Sequence, residues 1–182
     1  GGAANVALNV LTLGARVLPV GVIGGDAHGE TLVRLFSERA LPTEGLIVDR
    51  SRQTTVKTRI MAHGQHVVRA DREVRDPISR PVQERIFDYV KAHIGESDGL
   101  ILEDYNKGLL VPPLIGELIG LARSEDKPVF VDPKFDHFFD YRNATLFKPN
   151  RKETADKLGV RLDSDPGLQV HGRELKNRMG CE

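Results

Sequence analysis

Two glycines and an asparagine at the start of the chain are the first residues whose types and spacing could do chemistry. Gly1 and Gly2 have no Cβ, so the backbone can approach a ligand closely, and the helix predicted to follow offers free N–H groups and the positive end of its dipole. Asn5, on the first turn, adds an amide that both donates and accepts. Such a surface suits a polyhydroxylated or anionic small molecule. A tight turn leading into a packed helix is the plainer interpretation, which this stretch alone favours.

A second set of polar residues stands at the ends of predicted strands. Asp104, Asp132 and Asn150 each come at or just after a short apolar stretch. In open α/β sheets ligands bind beyond the carboxyl ends of the strands. We therefore expect these three residues to lie at one sheet edge, near the glycines that open the chain.

Two cations, Lys57 and Arg59, lie two residues apart in a stretch that alternates like a β-strand. Their side chains leave the same face, and a strand gains nothing from neighbouring like charges unless something anionic lies between them. The guanidinium of Arg can bind a phosphate through two parallel hydrogen bonds, while the ammonium of Lys acts as a point charge. The pair predicts a phosphate contact, with Lys107 and Arg69 as further contributors. A solvated charged face is the alternative.

Composition excludes several classes of function. The chain has 26 basic and 26 acidic residues, which predicts no general attraction to nucleic acid or acidic membranes. Aromatic residues make up 5% and Trp is absent, which argues against a base-stacking platform. Cys181 is the one cysteine, as expected in a reducing, cytoplasmic compartment. We find no transmembrane stretch or signal peptide, and expect N-terminal sequence to be missing because the chain starts inside a motif.

Strands and helices alternate along most of the chain. This βαβ order predicts an α/β fold of three layers, in which helices flank a mostly parallel sheet. Residues 45–70 depart from this alternation, because they contain three predicted short strands and no helix. This pattern predicts a small β lid. The three predicted lid strands are residues 46–48, 54–61 and 66–70.

Several residues mark where helices begin and end. Asp26 is a predicted N-cap, and Pro112 opens a later helix. Gly159 is predicted to end a short helix, and the last helix is predicted over residues 165–179. For Asn150 and Glu153 a plain helix start, with Asn capping and Glu in the first turn, remains open.

Six short motifs, in this order and spacing, resemble the ribokinase-like (phosphofructokinase-B type) carbohydrate kinases. Within that family the chain looks most like the D-glycero-β-D-manno-heptose 7-phosphate kinases, which also form the kinase domain of bifunctional ADP-heptose synthases. The resemblance covers nearly the whole chain, although each motif is weak alone. The motifs are Gly1-Gly2-Ala3-Ala4-Asn5, Gly25-Asp26-Ala27-His28-Gly29, Thr55-Val56-Lys57-Thr58-Arg59, Asp104-Tyr105-Asn106-Lys107-Gly108, Val131-Asp132-Pro133-Lys134 and Lys148-Pro149-Asn150-Arg151-Lys152-Glu153.

The resemblance implies an ATP- and Mg²⁺-dependent sugar kinase that phosphorylates heptose 7-phosphate at O1 during synthesis of ADP-heptose for lipopolysaccharide. Asn150 and Glu153 match a motif that organises magnesium and the ATP phosphates, with Glu153 acting on the metal through water. Asp104 is interpreted as a hydroxyl acceptor and not as the base. The lid would cover the sugar and pair two subunits as a homodimer. The substrate-binding residues are Gly1, Gly2, Asn5, Lys57, Arg59, Asp104 and Lys107.

Two parts of the family pattern have no counterpart in the sequence. The family's first strand, with a sugar-binding aspartate, would precede Gly1, and its Gly-Ala-Gly-Asp motif, with the anion hole and catalytic aspartate, would follow Cys181. We therefore assign no catalytic residue within this chain and expect the chain alone to be inactive. A non-catalytic sugar-phosphate-binding or dimerising α/β domain, a degenerate kinase, is the alternative. A dinucleotide-binding domain is weaker, because no Gly-x-Gly-x-x-Gly follows a first strand.

Overall fold

The computed structural model describes residues 2–181, which form two compact units. The first unit contains residues 2–86 and 107–109, and the second contains residues 87–106 and 110–181. Gly1, a predicted ligand contact, lies outside the described residues. Across residues 2–181, no helix is long and apolar enough to cross a lipid bilayer.

The first unit combines helices, a parallel strand pair and a hairpin. Its first helix begins at Gly2 and places Asn5 on an exposed first turn, while Ala7 packs with Phe36 and Leu41 in a small apolar core. The elements are α1 (Gly2–Thr12), β1 (Gly21–Ile23), α2 (Ala27–Ser37), β2 (Leu46–Val48), β3 (Val56–Ala62), β4 (Gln65–Arg72) and, shared with the second unit, α3 (Arg80–His93).

The lid contains two strands and not the three that the sequence pattern predicted. Residues 46–48 form β2, which pairs in parallel with β1, so that Gly21 lies opposite Leu46. The central residue of β2, Ile47, is buried. A short apolar stretch carries no signal for its partner strand, and burial against β1 decides the pairing. The assignment of residues 46–48 to the lid was therefore wrong.

Strands β3 and β4 form an antiparallel hairpin, which we call the lid (residues 56–72). His63 and Gly64 form its two-residue turn with φ values of 48° and 77°, and two positive φ values are what a type I′ turn requires. A register shift at Ile60 and Met61 marks a bulge. Alternation gives the hairpin two faces. The charged face carries Lys57, Arg59, Arg69 and Asp71, and the apolar face carries Thr58, Ile60, Val68 and Ala70.

The second unit is built on a parallel sheet with the strand order β5-β6-β7. Helix α4 packs against β6, and its residues Leu114 and Ile115 are fully buried, as is Val129 at the start of β6. This arrangement confirms the predicted parallel sheet flanked by helices. The elements that follow α3 are β5 (Leu100–Glu103), α4 (Pro112–Ser124), β6 (Val129–Asp132), β7 (Leu146–Phe147), α5 (Arg151–Leu158) and α6 (Asp165–Met179).

The predicted helix ends are confirmed. Asp26 Oδ1 accepts a hydrogen bond from Gly29 N at 2.9 Å and so caps α2. Pro112 is the first residue of α4, and Gly159 and Gly180 close α5 and α6 in the left-handed conformation. These local signals are sufficient because capping depends on neighbouring backbone groups and not on distant packing.

Asp26 also ties α2 to the segment that leads into the lid. Its second oxygen, Oδ2, accepts from Thr54 N at 2.9 Å, and Thr54 Oγ1 accepts from Gly24 N at 2.9 Å. The hydrogen bonds from Thr54 and Gly29 lower the pKa of Asp26 from 3.8 to about 2. The folded state therefore favours the carboxylate form.

We expect the stabilisation by Asp26 to be present at neutral pH and lost in acid. Because the folded-state pKa is lowered, the contribution is complete above pH ~5 and disappears as the pH falls from about 4 towards 2. Urea unfolding at a series of pH values should show Asp26→Asn less stable than the native chain at pH 7, with the difference narrowing in acid. Asp163→Asn, at an exposed aspartate, is the control. A difference independent of pH would contradict this role of the Asp26 charge.

Candidate active site

The parallel sheet brings the predicted strand-end residues of the second unit to one edge. Strand β5 ends at Glu103, β6 ends at Asp132 opposite Glu103, and Asn150 follows β7. Asp104 N donates to the carbonyl oxygen of Asp132 at 3.1 Å. The prediction that Asp104, Asp132 and Asn150 share this edge is confirmed, while their closeness to the opening glycines stays a prediction.

Asp104 is held by the chain on both of its carboxylate oxygens. Oδ1 accepts from Asn106 N at 2.8 Å, and Oδ2 accepts from the Tyr141 hydroxyl at 2.8 Å. Asp104 is 3% exposed and Tyr141 is fully buried. Burial and then the charge of Asp104 raise the pKa of Tyr141, so the hydroxyl stays protonated and donates. Asp104 therefore fixes the segment after β5, and its predicted contact with a sugar hydroxyl stays a prediction.

Two acidic side chains, Glu103 and Asp132, lie side by side on the same edge. Burial and then the charge of Asp132 raise the pKa of the Glu103 carboxyl. Burial and the neighbouring Glu103 also raise the pKa of the Tyr105 hydroxyl, which hydrogen-bonds to Glu103. Lys148 Nζ, 3.5 Å from Asp132 Oδ2, offsets part of this negative charge. A carboxyl whose pKa is raised by burial and by a neighbouring acid, as for Glu103, is typical of functional clefts as well as of structural charge networks.

Glu153 makes the contacts of a helix cap and of an ion pair at once. Its Oε2 accepts from Asn150 N at 2.9 Å, while Asn150 Oδ1 accepts from Glu153 N at 2.8 Å, which completes a capping box. Lys134 Nζ donates to Glu153 Oε1 at 2.9 Å. The predicted helix start is therefore present, and it fixes the direction of the carboxylate.

Charges around Lys134 and Glu153 keep both groups ionised. Burial alone would lower the pKa of the Lys134 ammonium, but the hydrogen bond to Glu153 and the nearby carboxylates raise it. Burial alone would raise the pKa of Glu153, but the hydrogen bonds from Asn150 and Lys134 lower it. The edge thus presents a fixed carboxylate beside ammonium groups, a combination suited to a nucleotide phosphate with its metal ion.

The residues present are compatible with a magnesium ion held mainly by phosphate and water. No cage of three or more His, Cys, Asp or Glu side chains occurs within residues 2–181. Magnesium in nucleotide sites commonly keeps several waters and uses one or two carboxylates. Glu153 has lone pairs beyond the two that Asn150 and Lys134 occupy, so it can accept a hydrogen bond from a metal-bound water.

In the first unit, two of the predicted substrate residues converge on a glutamate. Lys107 Nζ lies 2.5 Å from Glu73 Oε2, and Lys57 Nζ lies 3.9 Å from the same oxygen. Lys57 Nζ is also 3.5 Å from Asp71 Oδ2 on the facing strand. The anionic group that the sequence argument required beside Lys57 is thus supplied in part by the chain itself.

Arg59 differs from Lys57 in its surroundings. It lies directly opposite Arg69 across the lid, and like charges in that position are unfavourable. Arg69 pairs with Asp71 at 3.0 Å, whereas within residues 2–181 no carboxylate forms an ion pair with Arg59. Among the described cations of the charged lid face, Arg59 therefore differs from Lys57 and Arg69 in keeping its guanidinium available for an anionic ligand.

Sequence reasoning missed four residues of these clusters. Glu103 carried a usable signal, because it ends a predicted strand beside Asp104, and Lys134 belongs to a motif that was recognised but given no role. Glu73 and Tyr141 carried no such signal, since each reaches its partner across 34 or 37 positions of sequence.

The fold is the ribokinase-like α/β fold. The chain superposes on phosphofructokinase-2 from Escherichia coli, in its tetrameric inhibited form, with a TM-score of 0.74 at 20% identity, covering 100% of this chain and 59% of that chain. It superposes on Arabidopsis thaliana ribokinase, complexed with ribose and ATP, with a TM-score of 0.74 at 13% identity, covering 98% and 57%.

The chain belongs to the pfkB family of carbohydrate kinases, whose family model matches residues 1–179. It is 42% identical over 175 residues to the bifunctional protein HldE of Geobacter sulfurreducens, covering 96% of this chain and 36% of that protein. It is 41% identical over 176 residues to the bifunctional protein HldE of Helicobacter pylori (strain P12), covering 97% and 38%. The chain thus spans little more than a third of the length of these relatives.

Proposed function

We propose that the protein containing this chain is an ATP-dependent kinase that phosphorylates D-glycero-D-manno-heptose 7-phosphate at O1. The product would be the 1,7-bisphosphate, a cytoplasmic precursor of the ADP-heptose used in the lipopolysaccharide core. The similarity to the HldE proteins supports the heptose. The observation that carries the proposal is the cationic lid face, on which Arg59 and Arg69 oppose each other beside Lys57. In a sugar kinase, such a face suits a sugar that already carries a phosphate.

Each group of predicted site residues would have its own part in the reaction. Gly1, Gly2 and Asn5 would bind sugar hydroxyls, and Asp104 would accept a hydrogen bond from a sugar hydroxyl. Lys57, Arg59 and Lys107 would bind the 7-phosphate. These residues lower the barrier by positioning, which is the main contribution that a protein makes to phosphoryl transfer.

At the sheet edge of the second unit, Asn150 and Glu153 would organise the ATP phosphates and a magnesium ion. Bound magnesium would neutralise charge on the transferring phosphoryl group. Glu153 is already oriented by its bonds to Lys134 Nζ and Asn150 N, so it would accept from a metal-bound water without reorganisation.

Product analysis tests this proposal. The intact protein, heptose 7-phosphate and MgATP should release ADP, and ³¹P NMR should show a new phosphate on the anomeric carbon in equal amount. ADP release without a sugar bisphosphate, or turnover only with unphosphorylated sugars, would refute the assignment.

We further propose that the apolar lid face pairs two subunits. Ile60 and Val68 lie opposite each other on this face and are 49% and 48% exposed. An isolated two-stranded hairpin is marginally stable in water, and exposed apolar patches mark interaction sites. In a symmetric dimer, the apolar lid face of one subunit would pack against the same face of the other subunit.

A charge on this face should separate the subunits. We expect Ile60→Glu to convert a dimer of the intact protein to monomer at micromolar concentration, as measured by light scattering after size-exclusion chromatography. Val170→Glu, at a similarly exposed valine on α6, should leave the dimer intact. A monomeric native protein, or a dimer that survives Ile60→Glu, would show that the lid does not pair subunits.

A further inference from the structure

We propose that Glu73 is a positioning residue that sets the preference for a phosphorylated sugar, by holding Lys57 and Lys107 together as one anion-binding pair. This inference rests on the proposed function, because it takes the 7-phosphate as the ligand of the lysines. It adds a half-buried acidic residue to a proposed phosphate site for which the sequence predicted only the cations Lys57, Arg59 and Lys107.

Glu73 is the centre of a cluster of cations in the first unit. Its Oε1 accepts two hydrogen bonds from Arg75, at 2.9 Å from Nε and 2.7 Å from Nη2. Its Oε2 is buried from solvent and contacts Lys107 Nζ at 2.5 Å, with Lys57 Nζ at 3.9 Å. The side chain of Glu73 is 11% exposed, against 23% for Lys107 and 36% for Lys57. The carboxylate thus lies beneath the ammonium groups, whose remaining N–H donors are free to face solvent.

The charge state of Glu73 is fixed by the same contacts. Hydrogen bonds from Lys107 and then from Arg75 lower the pKa of its carboxyl to about 2. The group therefore carries its charge throughout the physiological pH range and acts as a permanent counter-ion.

The backbone that carries Lys107 is anchored as well. Arg52 Nη2 donates to the Lys107 carbonyl at 2.9 Å and to the Val74 carbonyl at 3.3 Å, which links that backbone to the segment after the lid. The next residue, Gly108, has a φ of 71°, and a Cβ there would collide with the backbone of Asp76. A rigid support of this kind leaves the Lys107 side chain as the part that Glu73 has to order.

The balance of charge explains why Glu73 positions the lysines and does not merely neutralise them. Within residues 2–181, the charged face of the lid and the cluster around Glu73 together contain five cations and two carboxylates, although the whole chain has equal numbers of basic and acidic residues. Without Glu73 the two ammonium groups would repel each other, and the lysine side chains would rotate out into solvent. Each side chain would then regain conformational entropy, which is lost again when a ligand binds. The cations are Lys57, Arg59, Arg69, Arg75 and Lys107, and the carboxylates are Asp71 and Glu73.

Kinetics of the intact protein test this role. We expect Glu73→Gln to raise the KM for heptose 7-phosphate about fivefold, the size of the ordering cost of one or two lysine side chains. The KM for ATP, the kcat, and the KM for the unphosphorylated heptose should each change less than about twofold, because a positioned phosphate site affects only the phosphorylated substrate. Glu73→Asp, which keeps the charge and is one methylene shorter, should fall between the native protein and Glu73→Gln.

Glu84→Gln is the charge-matched control, since it removes a surface carboxylate that pairs with Arg80 at 3.2 Å. An equal rise in KM for both sugars would assign Glu73 a general structural role, and a lower KM for heptose 7-phosphate would show that Glu73 competes with the substrate. Either result overturns the inference. If Lys57→Met abolishes the preference for the phosphorylated sugar and Glu73→Gln does not, the positioning role of Glu73 is refuted and the proposed function stands. A native protein without that preference would overturn the proposed function as well.

Discussion

Replacing Glu153 by glutamine in the intact protein is expected to lower kcat by on the order of a hundredfold, the typical effect of losing one preorganised electrostatic contact in a transition state. Glu153 is held by Lys134 and Asn150, so the carboxylate points in one direction before a nucleotide arrives. Glutamine keeps the capping interaction but loses the charge. The rate at saturating MgATP and the dependence on magnesium concentration should both change, with less effect on the KM for the sugar.

A matched acid on another helix serves as the control for Glu153. Glu174 on α6 is exposed, and its Oε2 lies 3.2 Å from His171 Nδ1, so Glu174→Gln should leave kcat unchanged. If Glu153→Gln retains the native kcat and the native magnesium dependence, Glu153 is a helix cap and nothing more.

Replacing Arg59 by alanine is expected to raise the KM for heptose 7-phosphate by about tenfold or more, since a charge-assisted hydrogen bond contributes roughly 1.5–3 kcal/mol. Arg59 faces Arg69 across the lid and forms no carboxylate ion pair within the described residues. The KM for ATP should change little. Initial rates with the phosphorylated and the unphosphorylated heptose give the comparison.

Arg72 provides the matched control for Arg59, because it lies on the same hairpin but on the opposite face, across from Val56. Arg72→Ala should leave the KM for heptose 7-phosphate within about twofold, since it faces away from the charged side. Equal losses of affinity for the phosphorylated and unphosphorylated sugars in Arg59→Ala would show that Arg59 does not contact the phosphate.

Local chemistry was sufficient to predict much of the fold. The N-cap at Asp26, the proline start at Pro112 and the glycine end at Gly159 all depend on residues within one turn, and all three are observed. The parallel order of β5, β6 and β7 followed from alternation of strands and helices. Strand β2 was misassigned because three apolar residues fit either a lid or a buried sheet, and only the pairing with β1 decides.

The candidate site was predicted unevenly, for a similar reason. Strand-end positions such as Asp132 and Asn150 could be placed from topology, since parallel strands end at one edge. Contacts that join distant segments could not. The sequence gives no sign that the Tyr141 hydroxyl caps Asp104, or that Glu73 lies under Lys107, because both depend on how separate loops pack.

A direct binding measurement tests the central claim, which is that the lid recognises a sugar phosphate, and it does not depend on phosphoryl transfer. The intact protein is titrated calorimetrically, in the absence of ATP, with heptose 7-phosphate and with the unphosphorylated heptose. Two charge-assisted contacts of roughly 1.5 kcal/mol each predict about a hundredfold tighter binding of the phosphorylated sugar. Equal affinity for the two sugars would contradict the account.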